Sequence, residues 1–479
     1  MNHARTASPL PWIAAALLAA SALLMWWPAL ETPFWGDDYG FLHAAHATNA
    51  AGAPWWSDFW PASPPRFWRP LSQEGYWRWI DATMGGSVHA AHAVSLVLHV
   101  LASLGVALFG FRLARACRWP HAGRTAALAG AVYATLGMHL LPVHWAAAAN
   151  NAMLTLFTTL LLAAWVSARD AARGVRAILL ASLPLLLALA LLSKESAALT
   201  PALMLVVAGF VAVRRPDRGE VAAWGACVAL VAVWLVLRAR FTADTDAAYT
   251  LTLGGNLVRN AFSLVAWMSN VPREALRMAL AGDRMHALAW IAATALPMLA
   301  AWGIALWRGR SLLARRQWIA VVLFAGLAYG PYFLFLWNNY EYYAAIAAVL
   351  PVIVLAHCVA DGGRAIAVAA LVALSSWIAV EGTRRLDHPG LIGRARWAEA
   401  TLQALERQPV AAPLPVAVAD EQRFYAIGPM GLAWRLGLPA DAVRVAPECP
   451  PTGTCLVIAA DGRWQWRTPP AGAEPPRQE

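Results

Sequence analysis

Long apolar runs separated by short arginine-rich segments set the pattern of this chain. A helix needs about 17 to 25 apolar residues to cross some 30 Å of hydrocarbon, and eleven such runs can be marked. They fall near residues 11–30, 90–111, 125–141, 152–168, 177–193, 197–213, 221–237, 287–307, 318–337, 344–360 and 365–380. The runs are rich in Ala and Leu and lack the alternation of barrel strands. An all-α polytopic membrane protein with about 11 transmembrane helices is expected. The composition agrees, since 60% hydrophobic and 13% charged residues lie outside the range of soluble domains. The first run has a basic start, but Trp26, Trp27, Pro28 and Glu31 stand where a small-residue cleavage site would be, so it reads as a retained span.

Orientation follows from the arginines. Arg112, Arg115, Arg118 and Arg124 share one short loop, Arg169, Arg173 and Arg176 a second, Arg214, Arg215 and Arg218 a third, and Arg308, Arg310, Arg315 and Arg316 a fourth. With Arg5 before the first span and Arg364 after the tenth, the positive-inside rule assigns this side to the cytoplasm. The expected setting is a plasma (inner) membrane, with the N-terminus cytoplasmic and the C-terminus periplasmic or extracellular. The net charge of +10 is then topological, and with no basic strip in an aqueous region nucleic acid is not expected as a partner.

Two regions are expected outside the lipid. The first external loop, about 31–88, belongs to a transmembrane domain spanning 1–385 and carries Trp35, Trp55, Trp56, Trp60, Trp68, Trp77 and Trp79. Indole rings favour the membrane interface, so the loop reads as one or two amphipathic helices along the membrane. The second region, 386–479, opens with a helical stretch near 391–407, followed by a Pro-Ala linker and β-like runs at 416–419, 443–445 and 455–458. It reads as a small external α/β region whose last ten residues or so are disordered. Cys449 and Cys455, the closely spaced pair, fall on the side that permits a disulfide. Cys117, Cys227 and Cys358 read as small buried apolar residues.

Polar residues in this setting are few enough to weigh singly. Asp37 and Asp38 follow the first span directly, and an acidic pair at a membrane face reads as a positioned general base. The chain's one lysine, Lys194, stands beside Glu195 at the outer end of the fifth run. A compact ammonium there suits a phosphate group, while a snorkelling helix end is the bland alternative. His92 and His99 lie seven apart on one face of the second span and read as structural hydrogen-bonding groups to a neighbouring helix. No compact His and carboxylate set appears, so no metal site is expected, a divalent metal is unsupported and no cofactor is implied.

These residues, in order, resemble a known family. The acid pair, Arg69-Pro70-Leu71, His92 and His99, Pro142-Val143-His144-Trp145 and Ser193-Lys194-Glu195 are similar to the membrane-embedded glycosyltransferases of the C-type (GT-C) fold. Within these they are nearest to the O-mannosyltransferase branch with tetratricopeptide tails. The resemblance covers roughly 30–215. It departs at Ser95, where Asn is usual, at Asn150-Asn151, where an Arg-Asp pair is usual, and in lacking the repeats. It implies transfer of a hexosyl or pentosyl group from a polyprenyl-phosphate carrier to a protein, lipid or glycan acceptor at the outer face, with membrane lipids as the other partners.

Such a reaction needs a base for the acceptor and cations for the departing phosphate. Asp37 is the expected base, with Asp38 orienting the acceptor, binding a metal or capping the helix that starts near Tyr39. Lys194 is the first phosphate cation and Arg69 the second, with Glu195 beside them and His144 as a hydrogen-bond donor or weak cation. Tyr340 and Glu341, in the turn 338–343, are candidates for a wall of the site or for an aromatic belt. A transporter is the rival from another class, but the charged candidates cluster at one face and no matching halves are seen. A surface-polysaccharide ligase or polymerase would carry its key residues in a large late loop.

Overall fold

The computed structural model describes residues 9–61, 64–211, 214–242, 249–336, 338–451 and 453–468. Arg5 and the final ten residues lie outside the described residues. The helices α1 (Leu10–Trp26), α2 (Asp37–Ala50), α3 (Tyr76–Met84), α4 (Val88–Ala116), α5 (Ala122–Thr135), α6 (Leu140–His144), α7 (Asn150–Ala168) and α8 (Arg173–Ser193) form the first half. The second comprises α9 (Thr200–Val211), α10 (Arg218–Phe241), α11 (Gly255–Met268), α12 (Arg273–Leu280), α13 (Arg284–Leu312), α14 (Arg315–Ala328), α15 (Gly330–Phe333), α16 (Val349–Val359) and α17 (Arg364–Arg385). The C-terminal region adds α18 (Leu391–Glu406), α19 (Glu421–Phe424) and α20 (Gly428–Leu436).

All eleven apolar runs are helical over most of their described length, yet the span count differs from eleven. Among the described residues seven helices are long and apolar enough to cross a membrane, or eight if α5 and the bent segment after it count as one. Of the other four runs, those near 197–213 and 344–360 form shorter apolar helices, and two are interrupted by breaks. Pro331 follows the end of α14, and a proline has no N–H to continue the ladder. Between α5 and α6 the chain bends by 56°, with Leu136 extended at ψ 133°. That break lies inside the protein, where Asn270 Oδ1 accepts the Gly137 N–H at 3.1 Å, and irregular backbone at such depth is tolerated only when satisfied in this way. The helices α11 and α12, between the seventh and eighth runs, have no counterpart in the apolar pattern.

The bundle packs around α4, which lies against α5 and α7. Peripheral helices expose Ile178, Leu185, Val236 and Val322, a surface suited to lipid rather than water. The arginine loops gather at one end: Arg169 and Arg214 donate to each other's carbonyls at 2.6 and 3.1 Å, and Trp119 stacks on His357 at 3.8 Å.

At the other end the first loop contains α2 and α3, packed together, with a π-helical turn at Pro70–Gly75. The C-terminal region holds a four-stranded sheet in the order β2-β1-β3-β4, from β1 (Leu414–Val418), β2 (Val443–Ala446), β3 (Cys455–Ile458) and β4 (Trp464–Arg467). β1 is parallel to both β2 and β3, and β4 is antiparallel to β3. Cys449 and Cys455 are bonded, with Cα atoms 5.8 Å apart, closing the connection between β2 and β3. The sheet does not stand alone. Phe34, Tyr39, Leu42, Trp77 and Ile80 of the first loop share one core with Leu402, Val416, Leu432 and Leu456, so loop and C-terminal region form a single cap over the bundle.

Candidate active site

A cavity of about 560 Å³ opens where this cap meets the bundle. Its charged lining is Asp37, Arg66, Arg69, Lys194, Glu195 and Arg238, four cations and two acids, among Tyr249, Tyr332, Tyr342, Tyr343, Trp145 and Trp234. The lining acid Asp37 comes from the first loop, and the lysine comes from the end of α8. Residues 157 positions apart in sequence thus face one space.

The Asp pair divides. Asp37 is the first residue of α2, where the helix N-terminus favours negative charge, and it lines the cavity. Burial raises its carboxyl above the ordinary value, while the Tyr425 hydroxyl and the Arg66 and Arg69 guanidiniums draw it back. Asp38 is fully buried. Its Oδ2 accepts from Trp35 N at 3.1 Å and its Oδ1 from Ala147 N at 2.7 Å. Consecutive helical residues face different ways, so Asp38 ties the first loop to the segment before α7 and does not line the cavity.

Lys194 ends α8 because its backbone turns extended, φ −162° and ψ 141°. Its Nζ donates to Asn151 Oδ1 at 2.5 Å and lies 5.0 and 5.2 Å from the ring centres of Tyr342 and Tyr343, a cation–π setting. Arg69 is engaged differently from the phosphate contact expected of it. Its Nε and Nη2 donate to the two Glu195 oxygens at 2.9 and 2.8 Å, a bidentate pair. The π-helical turn makes this meeting possible, since Ser72 Oγ donates to Ser193 O at 2.6 Å and seats the loop on the end of α8.

Other expected site residues lie elsewhere. His144 does not line the cavity: its Nδ1 is 2.8 Å from Thr32 Oγ1 and its ring meets Trp26 edge-on, because the α6 turn points it into the bundle. Tyr340 and Glu341 also miss the cavity. Tyr340 lies under the Arg273 guanidinium, 4.1 Å away, and Glu341 accepts the Arg273 N–H at 2.6 Å beside a separate, water-sized cavity. The tyrosines that line the main cavity are the next two, Tyr342 and Tyr343, brought inward by the 3₁₀ turn Glu341–Ala344. His92 Nδ1 is 3.2 Å from Val143 O and His99 Nε2 is 3.0 Å from Ala134 O. Among the described residues no group of His, Cys, Asp or Glu could hold a metal ion.

Sequence reasoning missed several cavity residues. Arg238, in the last turn of α10, reads as one more interfacial arginine, yet its Nε is buried without a hydrogen-bond partner among the described residues. Arg66 and Tyr249 come from loops with no motif to mark them. Glu74, in the π-helical turn and outside the cavity lining, is a half-buried acid whose Oε2 has no partner among the described residues, and desolvation pushes its carboxyl up to about 8. The π-turn spacing could not be read from residue types.

Fold and cavity together describe a largely helical, multi-pass membrane protein with a small C-terminal sheet and a charged cavity beneath its cap. No family model matches the sequence, and no curated relative does. Among solved structures the chain is similar to ArnT from Cupriavidus metallidurans bound to undecaprenyl phosphate, with a TM-score of 0.54 and 15% identity over 90% of this chain and 86% of that one. The apo state of the same protein aligns with a TM-score of 0.44 and 16% identity over 89% and 84% of the two chains. At this identity the likeness establishes the fold.

Proposed function

We propose that this chain is an integral membrane glycosyltransferase that takes a sugar from a polyprenyl-phosphate donor and passes it to an acceptor at the outer face. The observation that carries the reading is that Asp37 and Lys194 line one cavity. The ArnT structure with undecaprenyl phosphate supports a lipid phosphate as the donor's leaving group. In this reading Asp37 removes the proton from an acceptor hydroxyl, whose oxygen attacks the anomeric carbon. The carbon–oxygen bond to the carrier phosphate breaks, and the phosphate leaves with the electron pair. Lys194 and Arg238 hold that phosphate: Glu195 lines the same cavity but is taken up bidentately by Arg69, and among the described residues neither cation makes a direct ion pair. Arg69 acts through its Glu195 pair, keeping the lysine wall in place and lowering Asp37 from a distance. Stabilising the charge that develops on the leaving group is commonly the largest single contribution to such catalysis.

The tyrosines and tryptophans around the cavity suit the faces of a hexose or pentose, and mannose is the first sugar to try on the strength of the resemblance. The cap then faces the outside and the arginine end the cytoplasm. The test uses the full chain in lipid nanodiscs with undecaprenyl-phosphate hexoses and pentoses, offered peptide, lipid and glycan acceptors. Release of undecaprenyl phosphate is expected for at least one pairing, with Asp37→Asn slowing it by about 10²–10⁴-fold, the range for losing a general base. No release above the Asp37→Asn background across the panel would sink the proposal.

A further inference from the structure

Asp37 is held from outside the bundle as well as within it. The Tyr425 hydroxyl, just beyond α19 in the C-terminal region, donates to Asp37 Oδ1 at 2.9 Å. The approach is built into the backbone on both sides. Next to these residues, Gly36 N–H donates to Ala426 O at 2.9 Å. A Cβ on Gly36 would come within 2.9 Å of the Tyr425 ring, and Gly36 has φ +60°, where side chains are rarely accepted. A Cβ on Gly431 of α20 would come within 2.9 Å of the Tyr39 ring. Two glycines thus allow α2 and the C-terminal region to close on each other at the acid.

We propose that Tyr425 is a positioning residue for the proposed base: the C-terminal region completes the site by occupying Asp37 Oδ1 and leaving Oδ2 for the acceptor. This rests on the reading of Asp37 given above. The region would otherwise be an appendage with no part in the chemistry, and the 2.9 Å bond gives it one. Among the charged and titratable groups facing Asp37 are Arg66 and Arg69 from the first loop, Asp38 from its own helix and Tyr249 from the segment before α11. Tyr340 faces Tyr425 as well. Tyr425 donates a hydrogen bond to the Asp37 carboxylate.

A hydrogen bond to the charged form favours it, so removing the hydroxyl must raise the pH at which Asp37 ionises. A base works deprotonated, so the acid limb of activity against pH moves the same way. The experiment is an infrared titration of the Asp37 carboxyl in nanodisc-embedded full-length protein, the band assigned by its loss in Asp37→Asn, and run beside the transfer assay. Tyr425→Phe is expected to raise the midpoint by about one pH unit, as a charge-assisted hydrogen bond would. Transfer should recover at high pH and thermal stability should be unchanged. Gly36→Ala, which pushes the Tyr425 ring away, should move the midpoint in the same direction. An unmoved midpoint in Tyr425→Phe, with Asp37→Asn inactive, overturns this inference and leaves the base assignment standing. Full transfer by Asp37→Asn overturns the base assignment itself, and the catalytic meaning of Tyr425 with it.

Discussion

The two ends of α8 treat charge in opposite ways. At its start, Arg176 joins Arg169, Arg214, Asp217 and Glu220 in a closed network. Glu220 is fully buried, accepts from Arg214 at 2.5 and 3.0 Å and lies 4.0 Å from Arg169. Asp217 caps α10 in a capping box with Glu220. At the far end, 21 residues on and thus about 30 Å away, Lys194 and Arg238 line a cavity and make no direct ion pair among the described residues. Buried charges are normally paired. A network with its partners in place is complete as it stands, whereas under the proposed function the cations at the open end are the groups that would meet the donor's phosphate.

The comparison breaks if both ends respond alike to mutation. Removing the acid at the closed end should have the largest effect on the molecule. Glu220→Ala leaves Arg169 and Arg214 without their partner, at a cost of about 3 kcal/mol, the low end for breaking a buried pair because Arg214 keeps some access to water. A fall in the melting temperature of the nanodisc-embedded protein would show it, with transfer per folded molecule unchanged. Equal melting of mutant and parent would mean that the network does not hold the starts of α8 and α10 to the chain that follows α7. At the open end the signs reverse. Lys194→Met should leave melting within about 1 kcal/mol of the parent, since an apolar residue of similar size replaces a buried ion. Transfer should fall about a hundredfold, equivalent to ~2.7 kcal/mol, as for loss of one stabilising group at a developing charge. A stable mutant that transfers at the parent rate would remove Lys194 from the site.

The closed end was legible in the sequence and the open end only in part, for a physical reason. Arginine clusters between apolar runs obey a topological rule that acts on short segments, so Arg169, Arg214 and their loops could be assigned to one end directly. The eleven runs were found by the same local logic, and breaks at Leu136 and Pro331, together with the short helices at Glu195–Val211 and Val349–Val359, lowered the count of full spans. The cavity, by contrast, depends on how distant segments meet. Asp37 and Lys194 stood out by type and position. Arg69 also stood out, but its pairing with Glu195 depends on the π-helical turn at Pro70–Gly75, which no spacing announces. Of the turn 338–343 read as a candidate wall, Tyr342 and Tyr343 line the cavity and Tyr340 and Glu341 do not, because a 3₁₀ turn rather than an α-helix sets which rings point inward. Arg238 was overlooked because an arginine near the end of a span looks like every other interfacial arginine.

Arg238 therefore gives the finest test of the contrast between the two ends. Its guanidinium lines the cavity near the Trp234 ring, 5.9 Å from the centroid, and its Nε is buried with no partner among the described residues. A donor left unsatisfied costs free energy in the empty protein, and a bound phosphate would recover it. Arg238→Gln keeps a polar side chain of smaller reach and removes the charge. Binding of undecaprenyl phosphate, measured by native mass spectrometry of the nanodisc complex, should weaken about tenfold, or ~1.4 kcal/mol, while melting stays level or rises slightly. The effect is smaller than for Lys194 because the last turn of α10 remains partly open to solvent, where charge interactions are weaker. Equal affinity in mutant and parent would mean that the unpartnered nitrogen has no ligand to meet, and the distinction between a closed and an open end would then rest on Lys194 alone.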